Sequence, residues 1–140
     1  YRPGICRLFP LGRFYENGSF QYFLQIHECK KENRTKVKVK KWIDTPDLKQ
    51  YEAYISRWHY FLKDIRTAET EAAQKLLAEP CTGTAQEQEI QKKNRAAAAA
   101  EREKRRNLLI MKLFYLLPYD GKKDFYEQFE KRMQMAERSL

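Results

Sequence analysis

The chain has 140 residues, 42% hydrophobic and 34% charged, with few glycines and prolines. That is room for one domain, or one small core with extended arms, and it favours an ordered, soluble, helix-rich protein over a disordered tail. The net charge of +9 is uneven: residues 1–43 hold ten Lys/Arg against three acids, and the remainder is close to balance. A basic excess of this kind points to an anionic partner, and the plainer reading is a soluble basic protein.

The clearest local signal is Glu16-Asn17-Gly18-Ser19 between β-rich flanks. Asn-Gly supplies the two positive φ angles of a type I′ turn, so a hairpin is expected with a two-residue loop at 17–18. That loop sets Tyr15 opposite Phe20, Arg13 opposite Tyr22, Leu11 opposite Leu24 and Phe9 opposite Ile26. Pro10 cannot donate to a ladder, so the first strand is an edge or bends there. In the run Lys36-Val37-Lys38-Val39-Lys40 alternation is strict, which predicts a third strand and an antiparallel meander over 1–43. In that register Phe23 pairs with Trp42 and Lys40 with Gln25. One face then carries Phe9, Leu11, Tyr15, Phe20, Tyr22, Leu24, Ile26, Val37 and Val39, and must be covered by another element. The second face displays Gln25, His27, Lys36, Lys38 and Lys40 among Phe14, Phe23 and Trp42.

The rest, 44–140, reads as helical. Thr45-Pro46-Asp47 is a start signal, with Thr45 as N-cap. Leu48, Tyr51, Ile55, Trp58, Leu62, Ile65, Ala72 and Leu76 follow at heptad-like spacing, with Glu69 the one lapse. The expected helix covers about 46–79 and would be roughly 45–50 Å long. Pro80-Cys81-Thr82-Gly83-Thr84 ends it. A second helix over about 85–117 has a thin stripe in Ile90, Ala97 and the Ala96–Ala100 run, then Leu108–Leu117, apolar nearly all round. Such a segment is buried in its own core or against a partner. After the turn Pro118-Tyr119-Asp120-Gly121, Phe125, Phe129, Met133, Ala136 and Leu140 form the stripe of a last helix over about 122–139. The fold class is therefore α+β: an N-terminal three-stranded antiparallel meander, a long antiparallel helical hairpin, and a C-terminal amphipathic helix. The polar middle, about 78–106, is expected to project, a trait of assembly subunits more than of free enzymes.

No Gly-rich phosphate loop, Cys-x-x-Cys, His-Glu-x-x-His or nucleophile elbow occurs, so the chain is read as non-catalytic, with no cofactor, metal or small-molecule substrate. His27 and Cys29 supply two ligands where structural zinc needs four. His59, between Trp58 and Tyr60, reads as a packing residue. Cys6 and Cys29 would face each other across the hairpin, yet three cysteines make no closed framework, and reduced thiols are the simpler reading. Two sequons, Asn17-Gly18-Ser19 and Asn33-Arg34-Thr35, together with that register, leave a small secreted disulfide-bonded ligand as a distant alternative. No signal-peptide pattern is seen, and the run Leu108–Leu117, broken by Lys112, is about half the length a bilayer span needs. The expectation is an intracellular protein of mitochondrion, cytoplasm or nucleus.

Lysines neutralise phosphates with release of counterions, and exposed aromatics offer stacking platforms for unpaired bases. The nucleic-acid candidates are accordingly Arg34, Lys36, Lys38, Lys40, Lys41, Phe23 and Trp42. A second basic region, Lys92, Lys93, Arg95, Arg105 and Arg106, is flanked by acids that support a solvated helix instead. Leu108, Leu109, Met111, Phe114 and Tyr115 are the candidates for a protein interface. The leading expectation is a basic structural subunit of a large, ribosome-like ribonucleoprotein, with RNA and neighbouring proteins as partners. The rival is a protein–protein scaffold subunit of a chromatin or transcription complex.

Overall fold

The computed structural model describes residues 8–26 and 36–139. It is mixed α+β, and its contacts divide the chain into two compact units, Tyr1–Asp64 and Ile65–Leu140.

In the first unit, β1 (Leu11–Glu16) and β2 (Ser19–Leu24) form a two-stranded antiparallel hairpin. Its register is the expected one: Leu11 faces Leu24, Arg13 faces Tyr22 and Tyr15 faces Phe20. The turn works as the sequence requires, with Asn17 at φ 50° and Gly18 at φ 76°. Pro10 serves only as an acceptor, its carbonyl taking the Gln25 amide at 2.9 Å.

The third strand does not form. Residues 36–38 are irregular, and Val39–Ile43 makes a short helix, α1, ended by Asp44 in the left-handed region at φ 49°. Alternation holds over 36–40, but Val39, Trp42 and Ile43 also lie at i, i+3 and i+4, the helical period. The Trp42 indole donates to the Leu8 carbonyl at 3.3 Å, which ties α1 to the open end of the hairpin. The pairings Phe23–Trp42 and Lys40–Gln25 are thereby corrected. Cys6, His27, Cys29, the second sequon and Arg34 fall outside the described residues.

The long helix α2 (Leu48–Ala78) begins two residues later than expected. Asp47, not Thr45, caps it: its carboxylate accepts the Gln50 amide at 2.9 Å and its carbonyl the Tyr51 amide. The early turns of α2 cover one face of the hairpin. Tyr15 stacks on His59 with centroids 3.5 Å apart, and the Tyr60 hydroxyl donates to the Ser19 carbonyl at 3.1 Å. Leu8 and Phe61 are the buried apolar side chains of this unit among the described residues.

The second unit holds the end of α2, then α3 (Ala85–Met111), a single π-helical stretch (Lys112–Leu116), and α4 (Phe125–Ser139). Thr84 and Glu87 form a reciprocal capping box at the start of α3. Asp124 caps α4 by accepting the Glu127 amide at 2.9 Å. A small core gathers Ile110, Leu113 and Phe114 against Phe129, Met133 and Ala136. Phe114 and Phe129 meet with centroids 5.5 Å apart.

Two features of this unit depart from the sequence reading. The helix expected to reach 117 widens at 112–116, where the Leu117 amide bonds back to the Lys112 carbonyl at 2.9 Å. Arg132, 9% exposed, donates to the carbonyls of Leu113, Leu117 and Pro118 at 2.7–2.8 Å, and its guanidinium lies 3.6 Å from the Tyr119 ring centroid. It supplies donors that the widened helix end lacks.

The seam of the helical hairpin is the other departure. Before its last turns, where Leu109 and Ile110 are covered, the covered positions of α3 are Gln88, Gln91, Arg95, Ala99 and Arg106, not the expected Ile90 and Ala97, which are exposed. Arg95 reaches across to the Glu79 and Pro80 carbonyls and to the Glu79 carboxylate at 3.7 Å. Arg106 pairs with Glu69, the lapse in the α2 stripe, with the two side chains only 17% and 23% exposed. Gln91 donates to the Thr82 carbonyl and Gln88 to that of Gly83, each at 3.0 Å. The covered face of the helical hairpin therefore combines these polar contacts on α3 with half-buried Ile65, Ala73 and Leu76 on α2.

Candidate nucleic-acid interface

Four lysines fall within six residues at α1 and its approach: Lys36, Lys38, Lys40 and Lys41. All four side chains are exposed, and none makes an ion pair among the described residues. Lys36 and Lys38 sit on irregular backbone. Lys40 and Lys41 occupy the last turn of α1, where the carbonyl end of the helix dipole favours cations. Trp42, half-exposed, is anchored to Leu8 beside them.

The two faces of the hairpin are unlike. On the covered face the aromatic rings are all engaged. Tyr15 contacts Phe20, His59 and Tyr60, and Phe20 meets Tyr22 edge-on at 5.1 Å. Arg13 lies among Phe20, Tyr22 and Tyr51, 5.4–5.9 Å from each centroid, and donates to the Tyr51 hydroxyl at 3.0 Å. Burial, then the Glu52 carboxylate, push the Tyr22 phenol up to about 12, so it stays neutral. Burial and Lys63 hold His59 below its ordinary value, so it packs as a neutral ring on Tyr15. Arg13 is therefore committed to packing and does not join the lysines.

On the open face stand Phe14, 60% exposed, and Phe23, 47% exposed, with Gln21, Glu16 and Ser19. Neither phenylalanine has a ring neighbour among the described residues. A Cβ at Gly12 would collide with the Phe23 ring, so Phe23 lies across the glycine on the neighbouring strand.

The second basic region divides. Arg95 and Arg106 are spent on the hairpin seam, Lys93 pairs with Glu89 at 3.6 Å, and Arg105 with Glu101 at 3.2 Å. Lys92 alone of the five candidates is exposed with no pair among the described residues. Of the protein-interface candidates, Phe114 is a core residue and Leu109 is half-buried. Leu108, Met111 and Tyr115 are exposed, Tyr115 at 71%, and Leu116 and Leu117 join them. The sequence reading missed Arg132 entirely. Its one sign was a base in the stripe between Phe129 and Met133.

Among the described residues no cluster of His, Cys, Asp or Glu is placed to hold a metal, and no helix is long and apolar enough to cross a membrane. Comparison with known proteins gives no relative: no family model, curated protein or solved structure matches the chain.

Proposed function

We propose that this chain is a non-catalytic, basic structural subunit of a large ribonucleoprotein. It meets the RNA backbone through Lys36, Lys38, Lys40 and Lys41, and neighbouring proteins through Leu108, Met111 and Tyr115. The observation that carries the reading is a contrast in how the bases are used. Arg13, Arg95, Arg106 and Arg132 are all consumed by internal contacts, whereas the four lysines form a dense exposed cluster with no ion pair among the described residues. Unpaired surface cations so close together repel one another, and polyanion binding relieves that repulsion while releasing counterions.

The test is binding of the purified chain to a structured RNA over a salt series, beside a Lys36→Glu/Lys38→Glu/Lys40→Glu variant shown to be folded by circular dichroism. Wild-type affinity should fall steeply with salt. The variant should bind more weakly, with a log–log slope shallower by roughly two to three. No binding by a folded wild-type chain would overturn the reading.

The exposed ridge Leu108, Met111, Tyr115 and Leu116 favours the rival, a protein scaffold subunit of a chromatin or transcription complex. There the ridge would be the principal contact and the charge incidental.

A further inference from the structure

We infer that the open face of the hairpin recognises unpaired bases, so that the RNA bound is single-stranded, with Phe14 and Phe23 as its stacking platforms. The inference rests on the RNA reading above and specifies the form of its substrate. Five aromatic side chains lie on β1 and β2. Tyr15, Phe20 and Tyr22 point to the covered face and have ring partners, and Phe14 and Phe23 point away and have none among the described residues. Phe23 covers Gly12 with part of its ring and Phe14 meets no ring among the described residues; both leave apolar surface on one small sheet face, at a cost in solubility. Their spacing suits a ligand with flat repeating units. Phe14 faces Gln21, so Phe23 is its diagonal neighbour, at about 7–8 Å between Cα atoms. Successive bases splayed from an extended strand can each meet one ring there, as sheet-borne aromatics do in single-strand recognition. A duplex hides its bases in its stack and offers these rings nothing.

Charge gives the face a direction. Glu16 lies at the turn end, and the Trp42–Leu8 bond places the lysine cluster at the opposite, open end. A strand whose bases lie on Phe14 and Phe23 can lead its phosphates toward Lys40 and Lys41 and away from the acid. Gln21, exposed between the two rings' positions, supplies a donor and an acceptor for a base edge.

The experiment measures affinity for three probes of equal length: oligouridine, a base-paired RNA duplex, and a base-free ribose-phosphate strand. The proteins are wild type, Phe14→Leu, Phe23→Leu and Phe14→Tyr. Wild type should prefer oligouridine to both other probes. Each Leu variant should lose roughly 5- to 150-fold for oligouridine, the range measured for one base–aromatic stack, with duplex and base-free binding unmoved. Phe14→Tyr keeps a ring and should retain wild-type affinity. Phe14 is well exposed, so its variants fold, and circular dichroism checks this. Equal wild-type affinity for the base-free strand, or Leu variants indistinguishable from wild type, would overturn the stacking inference and leave lysine-mediated RNA binding standing. Failure of every probe to bind would overturn both.

Discussion

Replacing Arg132 by methionine tests the anchoring of the second unit. The substitution keeps the length and much of the volume of the side chain and removes its donors. Three carbonyl oxygens lose their partner, those of Leu113, Leu117 and Pro118. A buried acceptor without a donor costs about 1–3 kcal/mol. Leu113 lies at the buried bond and bears the upper part of that range, whereas the Leu117 and Pro118 bonds are part-buried and recover some hydration. The stacked Tyr119 contact adds about 0.5–1 kcal/mol. Against these losses, the variant no longer buries a charge, which returns on the order of 1–2 kcal/mol. The net expectation is a destabilisation of about 2–4 kcal/mol. Urea denaturation followed by circular dichroism measures it, and hydrogen exchange locates it, with protection falling first across 110–133. Arg132→Lys retains the charge but lacks the fork that spans three carbonyls, and should fall between the two. A methionine variant within about 0.5 kcal/mol of wild type would mean that water serves these carbonyls equally well, and would refute the reasoning.

The remaining predictions concern the hairpin seam and pH. Glu69→Leu or Arg106→Leu alone leaves a mostly covered charge unpaired, at about 1–3 kcal/mol after allowance for partial exposure. The double variant recovers most of the loss, and a double-mutant cycle by urea denaturation should show the coupling, additive single losses being the adverse result. His59 is held below its ordinary value of 6.5 by burial and Lys63, so folding favours its neutral form. Its contribution is complete above about pH 6.5 and is lost as pH falls through the lower folded value. Melting temperatures from pH 8 to 5 should therefore decline below that point, and His59→Phe should flatten the decline.

How much of this was readable in the sequence depends on which physical rule each element obeys. The β1–β2 hairpin follows from Asn17-Gly18, because the turn demands φ values that few residue pairs supply, and every cross-strand pair is then fixed. Helix limits near 79 and 85 follow from the Pro80-Cys81-Thr82-Gly83 breaker and the Thr84 cap, whereas the last helix, expected from about 122, starts at Phe125 after the Asp124 cap. Val37-Lys38-Val39-Lys40-Lys41-Trp42-Ile43 misleads because it satisfies two periodicities, and the choice is made by the Trp42 bond to a residue far away in sequence. The α2 side of the seam is legible, Ile65 and Leu76 of its stripe being half-buried, but the α3 side escapes a search for apolar stripes because its covered positions include Gln91, Arg95 and Arg106, which pattern rules assign to solvent. For the same reason the candidate site contracted: the lysines around α1 remain available, and most of the bases in α3 do not.

The polar seam also bears on how the protein responds to temperature. Unfolding heat capacity rises with apolar surface exposed and falls with polar surface exposed. Opening the α2–α3 pair exposes guanidinium, amide and carbonyl groups together with the half-buried apolar surface of Ile65, Ala73 and Leu76, so the two contributions to the heat-capacity change partly offset. The pair's stability curve is correspondingly flatter than that of an all-apolar seam of the same area. The hydrocarbon contribution comes from the cluster around Phe114, Phe129 and Met133, where the curvature of the unit's stability is concentrated.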